Sequence, residues 1–218
     1  GESRPRPTMS DQARLKAIEQ NISRDIERNY PLGESKKTVF SGHPGTGKTF
    51  RLLQIGFSHI YQGGDVVFGC FNKTLAADIK RLINFSSRLK NAKNNFEVFD
   101  IFDLAALYGA LMGLSGNESS HDDWGELIVS ELKKGEILPT CKYDTILIDE
   151  VQDMKEWHLE LLMLHAKSDA TICLALGKGQ ELYGSGPRSR DWIDKFLKDG
   201  AKRSRLNRNF RNTKNGFA

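Results

Sequence analysis

The sequence predicts an α/β fold in which a parallel sheet is covered by helices on both faces. Short, almost continuously apolar stretches alternate with longer segments whose apolar residues recur every three or four positions. Apolar stretches of this kind are typical of buried parallel strands, and the periodic segments are typical of the helices that connect them. Because ligands of doubly wound folds bind beyond the carboxyl ends of the strands, the polar residues after each predicted strand are the first candidates for a site.

The helices are predicted from the spacing of apolar residues. In the first of them, Leu15, Ile18, Ile22 and Ile26 share one face, and the segment 30–33, which contains Pro31, ends it. Leucines and isoleucines at similar spacings, with glycines or polar loops between segments, predict the others. The predicted helices are 10–29, from Phe50 to the glycine pair at 63–64, 73–90, 101–112, 124–134 and 155–167.

The strands are predicted from short apolar runs between turn-forming segments. The predicted strands are 38–40, 66–70, 96–99, 145–148 and 170–176.

Composition limits the classes of protein that fit. With 218 residues, 39% hydrophobic and 28% charged, the chain can bury a core and is not expected to be disordered. The net charge of +4 permits a polyanionic partner without requiring one. No apolar run reaches the length of a membrane span, and the three cysteines lack metal-site spacing, which indicates free thiols. We expect an intracellular protein without a membrane partner, cytoplasmic or, in a eukaryote, nuclear; residues 1–9 are expected to be a flexible tail or a cloning remnant.

The segment Gly42–Thr49, GHPGTGKT, lies between a predicted strand and a predicted helix. It has the phosphate-binding pattern GxxxxGK[ST], whose glycines let backbone N–H groups surround a polyphosphate at a helix N-terminus. Lys48 would neutralise the β and γ phosphates, and the Thr49 hydroxyl would ligate Mg²⁺. The predicted cofactors are therefore ATP and Mg²⁺, and the predicted nucleotide-binding residues here are Gly42, His43, Pro44, Gly45, Thr46, Gly47, Lys48, Thr49 and Phe50.

Two acids follow the predicted strand 145–148 directly. A carboxylate at the tip of a buried strand is unfavourable unless it meets a cation, so Asp149 is predicted to hold Mg²⁺ through its water shell. Glu150 is predicted to orient and deprotonate the attacking water. The alternative is that both acids cap the next helix.

With these residues in place, the segment IDEVQD resembles the DExQD box of superfamily I helicases of the UvrD/Rep type, and GHPGTGKT resembles their first motif. Further segments follow in the family's order, so the resemblance covers about residues 38–213. These segments are CFNKTLAADI at 70–79, VFDIF at 98–102, GQELYG at 179–184 and LNRNFRNT at 206–213.

The resemblance implies roles for further residues of the ATP site. Gln180 resembles the family's γ-phosphate sensor, and Arg211 the arginine that stabilises charge on the transferred phosphate. Phe210 stands where relatives have the tyrosine that stacks on the base; Gln180 could instead be a polar turn residue, and Phe210 a core aromatic. For the glutamine that reads adenine, Gln12 and Gln20 are candidates.

The resemblance also implies contacts with single-stranded DNA or RNA, through Phe71, Asn72 and Phe99. Simple loop packing is the alternative for Phe71 and Asn72. Asp100 replaces a usual histidine and is expected to repel a phosphate backbone.

Taken together, these motifs predict one RecA-like ATP-binding domain over residues 10–218, with small insertions near 84–95 and 113–140. In the family a second RecA-like domain follows and completes the site, so this chain alone is expected to be a weak or inactive ATPase. The expected function is the N-terminal motor domain of a DNA or RNA helicase, in which hydrolysis drives translocation only in a two-domain protein. Two alternatives are a nucleotide-dependent switch that binds a protein partner without unwinding, and a decayed nucleotide-binding module.

Overall fold

A single parallel sheet organises the part of the chain that the computed structural model describes, namely residues 7–27, 36–92, 94–114, 121–135, 141–177 and 187–206. The sheet has six strands in the order β3-β2-β4-β5-β1-β6. The strands are β1 (Lys37–Gly42), β2 (Val66–Cys70), β3 (Phe96–Asp100), β4 (Tyr143–Ile148), β5 (Ala166–Gly177) and β6 (Lys202–Arg205). Because all pairs are parallel, all carboxyl ends lie at one edge, and β5 separates β1 from β4.

Helices cover both faces of this sheet. The helices are α1 (Met9–Glu27), α2 (Lys48–Tyr61), α3 (Lys73–Phe85), α4 (Ser87–Lys90), α5 (Ile101–Leu111), α6 (His121–Lys134), α7 (Glu156–Met163) and α8 (Pro187–Lys198), with a 3₁₀ turn at Val151–Asp153. Helices α1 to α3 share one hydrophobic core with alternate strand residues such as Leu147, whereas α5 to α8 share a second core with Ile146 and Ile148. This alternation follows from the opposite directions of successive side chains in a strand. The predicted α/β fold class is confirmed.

The predicted boundary between α7 and β5 is wrong. Residues Ala166 and Lys167 were expected to continue the helix, but α7 ends at Met163 and β5 begins at Ala166. Alanine and lysine favour helices intrinsically. Here Ala166 pairs with Tyr143 of β4, and tertiary pairing overrides that preference.

Helix α8 and strand β6 were not predicted from the sequence. Part of the segment after Ala201, which is rich in lysine and arginine, forms β6, an edge strand paired with β1. In α8, Ile193 and Phe196 are buried, and Trp192 stacks on Phe196 with 5.3 Å between ring centroids. Because β6 pairs with β1, it extends the sheet next to the strand that leads into the phosphate loop.

None of the helices in the described part of the chain is long and apolar enough to cross a membrane. Cys70 and Cys173 are buried free thiols, as expected for residues in or beside strands, whereas Cys141 is exposed.

A histidine is buried where α7 meets β5. The His165 ring nitrogen Nδ1 lies 2.9 Å from the Leu161 carbonyl oxygen, and Nε2 lies 2.7 Å from the Tyr108 hydroxyl. Because a carbonyl can only accept, Nδ1 carries the proton and Nε2 accepts from Tyr108. This arrangement suits a neutral ring, and burial lowers the pKa of His165.

Acid is therefore expected to destabilise the fold through His165. Since its pKa is lower in the folded chain than the ordinary value of 6.5, the unfolded chain binds the proton more tightly. The contribution of His165 to the free energy of unfolding should be level above pH 6.5 and fall below it, by at most about 1.4 kcal/mol per pH unit. Urea denaturation between pH 5 and 8 should show a smaller slope for His165→Gln than for the wild type. Parallel losses in the two proteins would contradict this assignment.

Candidate nucleotide-binding site

The predicted phosphate loop joins β1 to α2, as its sequence pattern requires. Gly45 and Gly47 adopt left-handed backbone angles, with φ of 81° and 83°. At Gly42, a Cβ atom would lie 2.5 Å from the Thr46 hydroxyl and 2.7 Å from the Leu206 carbonyl oxygen. The loop therefore needs glycine at these positions for two different reasons, backbone angle and close approach.

Lys48 lies over this loop. Its ammonium donates hydrogen bonds to the carbonyl oxygens of Gly42 at 2.9 Å and His43 at 3.1 Å, and the Thr46 hydroxyl also donates to His43, at 2.8 Å. Burial lowers the pKa of Lys48, and attraction to Asp149 and Glu150 opposes that shift. A cation held by loop carbonyls is well placed to exchange them for phosphate oxygens.

The two predicted Mg²⁺ residues are brought together from elements 100 residues apart in the chain. The Thr49 hydroxyl, at the start of α2, donates a hydrogen bond to the Asp149 carboxylate, directly after β4. Asp149 also accepts from the Glu150 backbone N–H at 2.9 Å, and it is 2% exposed. Burial raises the pKa of Asp149, so a nearby cation would stabilise its charged form.

These residues fit a hard cation that prefers oxygen ligands. In the part of the chain that the structure describes, no group of three or more His, Cys, Asp or Glu side chains could hold a metal. Among the described residues, Thr49 and Asp149 would hold such a metal, and water or a phosphate could supply further ligands.

Glu150 has an unusual backbone. Its φ of 54° makes it the one non-glycine residue with positive φ among the described residues. Such a conformation is unfavourable for glutamate, and residues held in it cluster at active sites and switch regions as well as in turns. Burial and the neighbouring Asp149 and Asp153 raise the pKa of its half-buried carboxyl group. The alternative was that Asp149 and Glu150 cap the next helix. Glu150 is the N-cap residue of the 3₁₀ turn at Val151–Asp153, but its side chain makes no capping hydrogen bond there, and α7 begins only after Lys155.

Sequence reasoning placed Gln152 in the DExQD-like segment but gave it no role. Its side-chain oxygen accepts a hydrogen bond from the Gly177 backbone N–H at 2.9 Å, and its amide nitrogen donates to Asp153 at 3.1 Å. No local pattern could have identified this contact, because it joins the turn after β4 to the end of β5.

A cavity of about 490 Å³ lies beside the phosphate loop. Its lining residues come from α1, the loop and α2: Arg14, Ile18, Gly45, Gly47, Lys48, Thr49, Phe50 and Leu53. Phe50 lines it, and its contact with a nucleotide stays a prediction. Neither Gln12 nor Gln20 belongs to this lining; Arg14 and Ile18, one helical turn apart, face it instead.

Ion pairs hold α1 against α3. Arg14 contacts Asp78 at 2.8 Å, and Arg81 contacts both Asp78 at 2.9 Å and Asp11 at 3.1 Å. One wall of the cavity is thereby fixed to the helix that follows β2.

A larger groove, of about 740 Å³, lies between α6 and α7. Two of its lysines are already paired with acids, Lys133 with Glu160 at 2.9 Å and Lys134 with Glu131 at 2.5 Å. Size alone does not mark this groove as a site, and the residues predicted to bind a nucleotide lie at the phosphate loop instead.

The residues predicted to touch nucleic acid have structural contacts of their own. Phe71 packs on Phe102, with 5.1 Å between ring centroids, and the Asn72 side chain caps the N-terminus of α3. Phe99 packs in the core, 5.7 Å from the ring of His165. These contacts account for packing and capping, and nucleic-acid binding by the three residues stays a prediction.

Asp100 was expected to repel a phosphate backbone, but the structure buries its side chain. The residue is 2% exposed, and one carboxylate oxygen accepts from the backbone N–H groups of Phe102 and Asp103 at the start of α5. It serves as a helix cap and does not lie on the surface, where it could repel a phosphate backbone.

Three further predicted residues, Gln180, Phe210 and Arg211, lie outside the described residues. Their roles stay predictions.

No known protein-family model matches the chain, and no curated protein matches its sequence. Among solved structures, it is similar to the large terminase of a thermophilic bacteriophage, at 14% identity and a TM-score of 0.46 over 92% of this chain and 46% of that one. It is also similar to the DUF1998 helicase MrfA bound to DNA, at 13% identity and a TM-score of 0.43 over 94% and 30%. AMPPCP-bound DnaA from Aquifex aeolicus matches at 15% identity and a TM-score of 0.40 over 86% and 44%.

The fold is RecA-like. Three features of the sheet support this assignment. The phosphate loop follows β1, two acids follow β4, and β5 lies between β1 and β4 in a parallel sheet. The chain spans less than half the length of each of these solved structures. At such identities the likeness concerns the fold alone.

Proposed function

We propose that this chain is the ATP-binding half of a superfamily I motor of the UvrD/Rep type, acting on single-stranded DNA or RNA. A second RecA-like domain would complete the motor. The observation that carries the proposal is the hydrogen bond between Thr49 and Asp149, which joins the phosphate loop to the acidic end of β4. The ordered motifs over residues 38–213 supply the choice of family.

In this proposal each described residue has a separate role. Lys48 exchanges its contacts with Gly42 and His43 for oxygens of the β and γ phosphates. Thr49 and Asp149 hold Mg²⁺, which when bound neutralises charge on those phosphates. The cavity lined by Arg14, Ile18 and Phe50 lies beside the loop and receives the base and ribose.

Glu150 is the proposed general base. It follows Asp149 directly, and its raised pKa brings its basicity closer to the operating pH. Its carboxylate would accept the proton of the attacking water. Gln180 and Arg211 would sense and stabilise the γ-phosphate, as the family resemblance implies.

Glu150→Gln is expected to keep nucleotide affinity within about threefold while slowing hydrolysis by about 100-fold or more, because only proton transfer is lost. Binding of a fluorescent ATP analogue to this chain, and single-turnover hydrolysis by a two-domain protein that contains it, with protein in excess, measure the two effects. Glu156→Gln, on the first turn of α7, is the matched control and should hydrolyse ATP normally. Normal turnover by Glu150→Gln would exclude Glu150 as the base.

The alternative function, a nucleotide-dependent switch without motor activity, predicts a different response to nucleic acid. A motor half should hydrolyse ATP faster when single-stranded DNA or RNA and the second domain are both supplied. A rate that stays unchanged under those conditions would favour the switch.

A further inference from the structure

The last residues of β5 are paired unequally on their two sides. Towards β1, the pairing continues to Gly177, which lies opposite Gly42, the first residue of the phosphate loop. Towards β4, the pairing ends at Leu174 opposite Ile148, because the chain leaves β4 at Asp149. The backbone of Gly177 therefore needs another hydrogen-bond partner on the β4 side.

Gln152 supplies that partner. Its side-chain oxygen accepts from the Gly177 N–H at 2.9 Å in a buried contact, and the residue is 7% exposed. The side-chain amide thus replaces the backbone carbonyl that a longer β4 would have offered. A buried N–H left without an acceptor is unfavourable, so loss of the Gln152 side chain should weaken the structure at Gly177.

The same side chain fixes the turn that carries Glu150. Gln152 is the middle residue of the 3₁₀ turn, whose first hydrogen bond runs from the Asp153 N–H to the Glu150 carbonyl at 2.9 Å. Its amide nitrogen donates to the Asp153 carboxylate at 3.1 Å. Glu150 holds a left-handed conformation that glutamate rarely adopts alone, and an anchored turn maintains it.

We infer that Gln152 is a positioning residue for hydrolysis. Through Gly177 it joins the turn that carries Glu150 to the strand beside Gly42, and so sets where the base stands relative to the phosphate loop. This inference rests on the proposed function. It assigns Gln152 no contact with the nucleotide, so its loss should affect the transition state more than ground-state binding.

Four variants test the inference. Gln152→Met keeps the side-chain length and removes both hydrogen bonds, whereas Gln152→Asn stays polar but is one methylene too short to reach Gly177. Gln152→Glu keeps an oxygen that can accept from Gly177 but loses the donor to Asp153, so it retains the contact with Gly177 alone. Gln62→Met, at the exposed end of α2, is the matched control. Gln152→Met and Gln152→Asn, the two loss variants, both remove the hydrogen bond to Gly177. If one of them does not fold, the other still tests the inference.

The first readout is amide hydrogen exchange at Gly177, which needs no turnover. We expect exchange to be about tenfold faster in Gln152→Met and Gln152→Asn, and close to the wild-type rate in Gln152→Glu and Gln62→Met.

The second readout, made in the presence of the second RecA-like domain that would complete the site, is the ratio of the dissociation constants for Mg²⁺–ADP and Mg²⁺–ADP–aluminium fluoride, a mimic of the transferred phosphate. In Gln152→Met and Gln152→Asn, ADP affinity should stay within about threefold while the ratio falls about tenfold, and Gln152→Glu should recover part of it.

An unchanged ratio in both loss variants, or an equal loss of affinity for the two ligands, would overturn the positioning role alone. A wild-type chain that binds neither ligand would overturn the proposed function, and the positioning role with it.

Discussion

Lys48→Ala is expected to weaken ATP binding by about 100-fold or more, which corresponds to about 2.7 kcal/mol. The ammonium is the one lysine charge at the loop cavity among the described residues, and the neighbouring Asp149 and Glu150 would otherwise repel a triphosphate. Removing it therefore loses an attraction and leaves a repulsion unbalanced.

Titration of the chain with Mg²⁺–ATP by calorimetry measures this effect. Lys134→Ala, a charge removal on α6, where Lys134 pairs with Glu131, is the control and should bind as the wild type does. Equal affinities of Lys48→Ala and the wild type would mean that the loop does not hold the phosphates.

Asp149→Asn is expected to have two opposite effects. Without nucleotide and metal, it should stabilise the fold at neutral pH by about 1 kcal/mol, because a buried charge is replaced by a neutral amide of the same shape. With them, it should abolish the increase in nucleotide affinity that Mg²⁺ produces.

The pH dependence of the first effect has a definite sign. Burial raises the pKa of Asp149 in the folded chain, so its contribution to stability is present at low pH and is lost as pH rises through that pKa. The stabilisation by Asp149→Asn should thus be largest at neutral pH and shrink in acid.

Urea denaturation at pH 5 and pH 7 tests this for Asp149→Asn, with Asp169→Asn as a control. Asp169 is exposed and pairs with Lys36 on the surface, so its replacement should change stability little. A destabilised Asp149→Asn variant at pH 7 would show that the carboxylate is satisfied without a cation.

Local patterns identified those parts of the site that lie within one segment of the chain. The loop at Gly42–Thr49 was recognisable because glycine, lysine and threonine have fixed places between a strand and a helix. Asp149 was recognisable because a carboxylate directly after an apolar strand requires a cation. The structure adds that the Thr49 hydroxyl and the Asp149 carboxylate meet.

Contacts between distant segments could not be predicted in this way. The bond from Gln152 to Gly177 depends on where β4 stops and how far β5 continues, which is a property of strand register. The position of Arg14 beside the loop depends on ion pairs between α1 and α3. The helical interpretation of Ala166 and Lys167 failed for the same reason, since pairing with β4 decided the outcome.

Aromatic residues were the least predictable part of the site. A phenylalanine after a strand can stack on a base or pack on a neighbouring helix, and the sequence is the same in both cases. Phe71 contacts Phe102 and His158, and Phe99 contacts Tyr143 and His165. These partners come from other elements, which the residue's own segment does not reveal.

Hydrogen–deuterium exchange of the 218-residue chain, with and without a Mg²⁺-bound slowly hydrolysed ATP analogue, tests the central claim most directly. The claim is that one nucleotide site is formed by the phosphate loop and the end of β4. It predicts protection in the peptides that contain 42–49 and 149–153, with little change on α6. Protection confined to other segments, or no protection at a saturating concentration of the analogue, would contradict it.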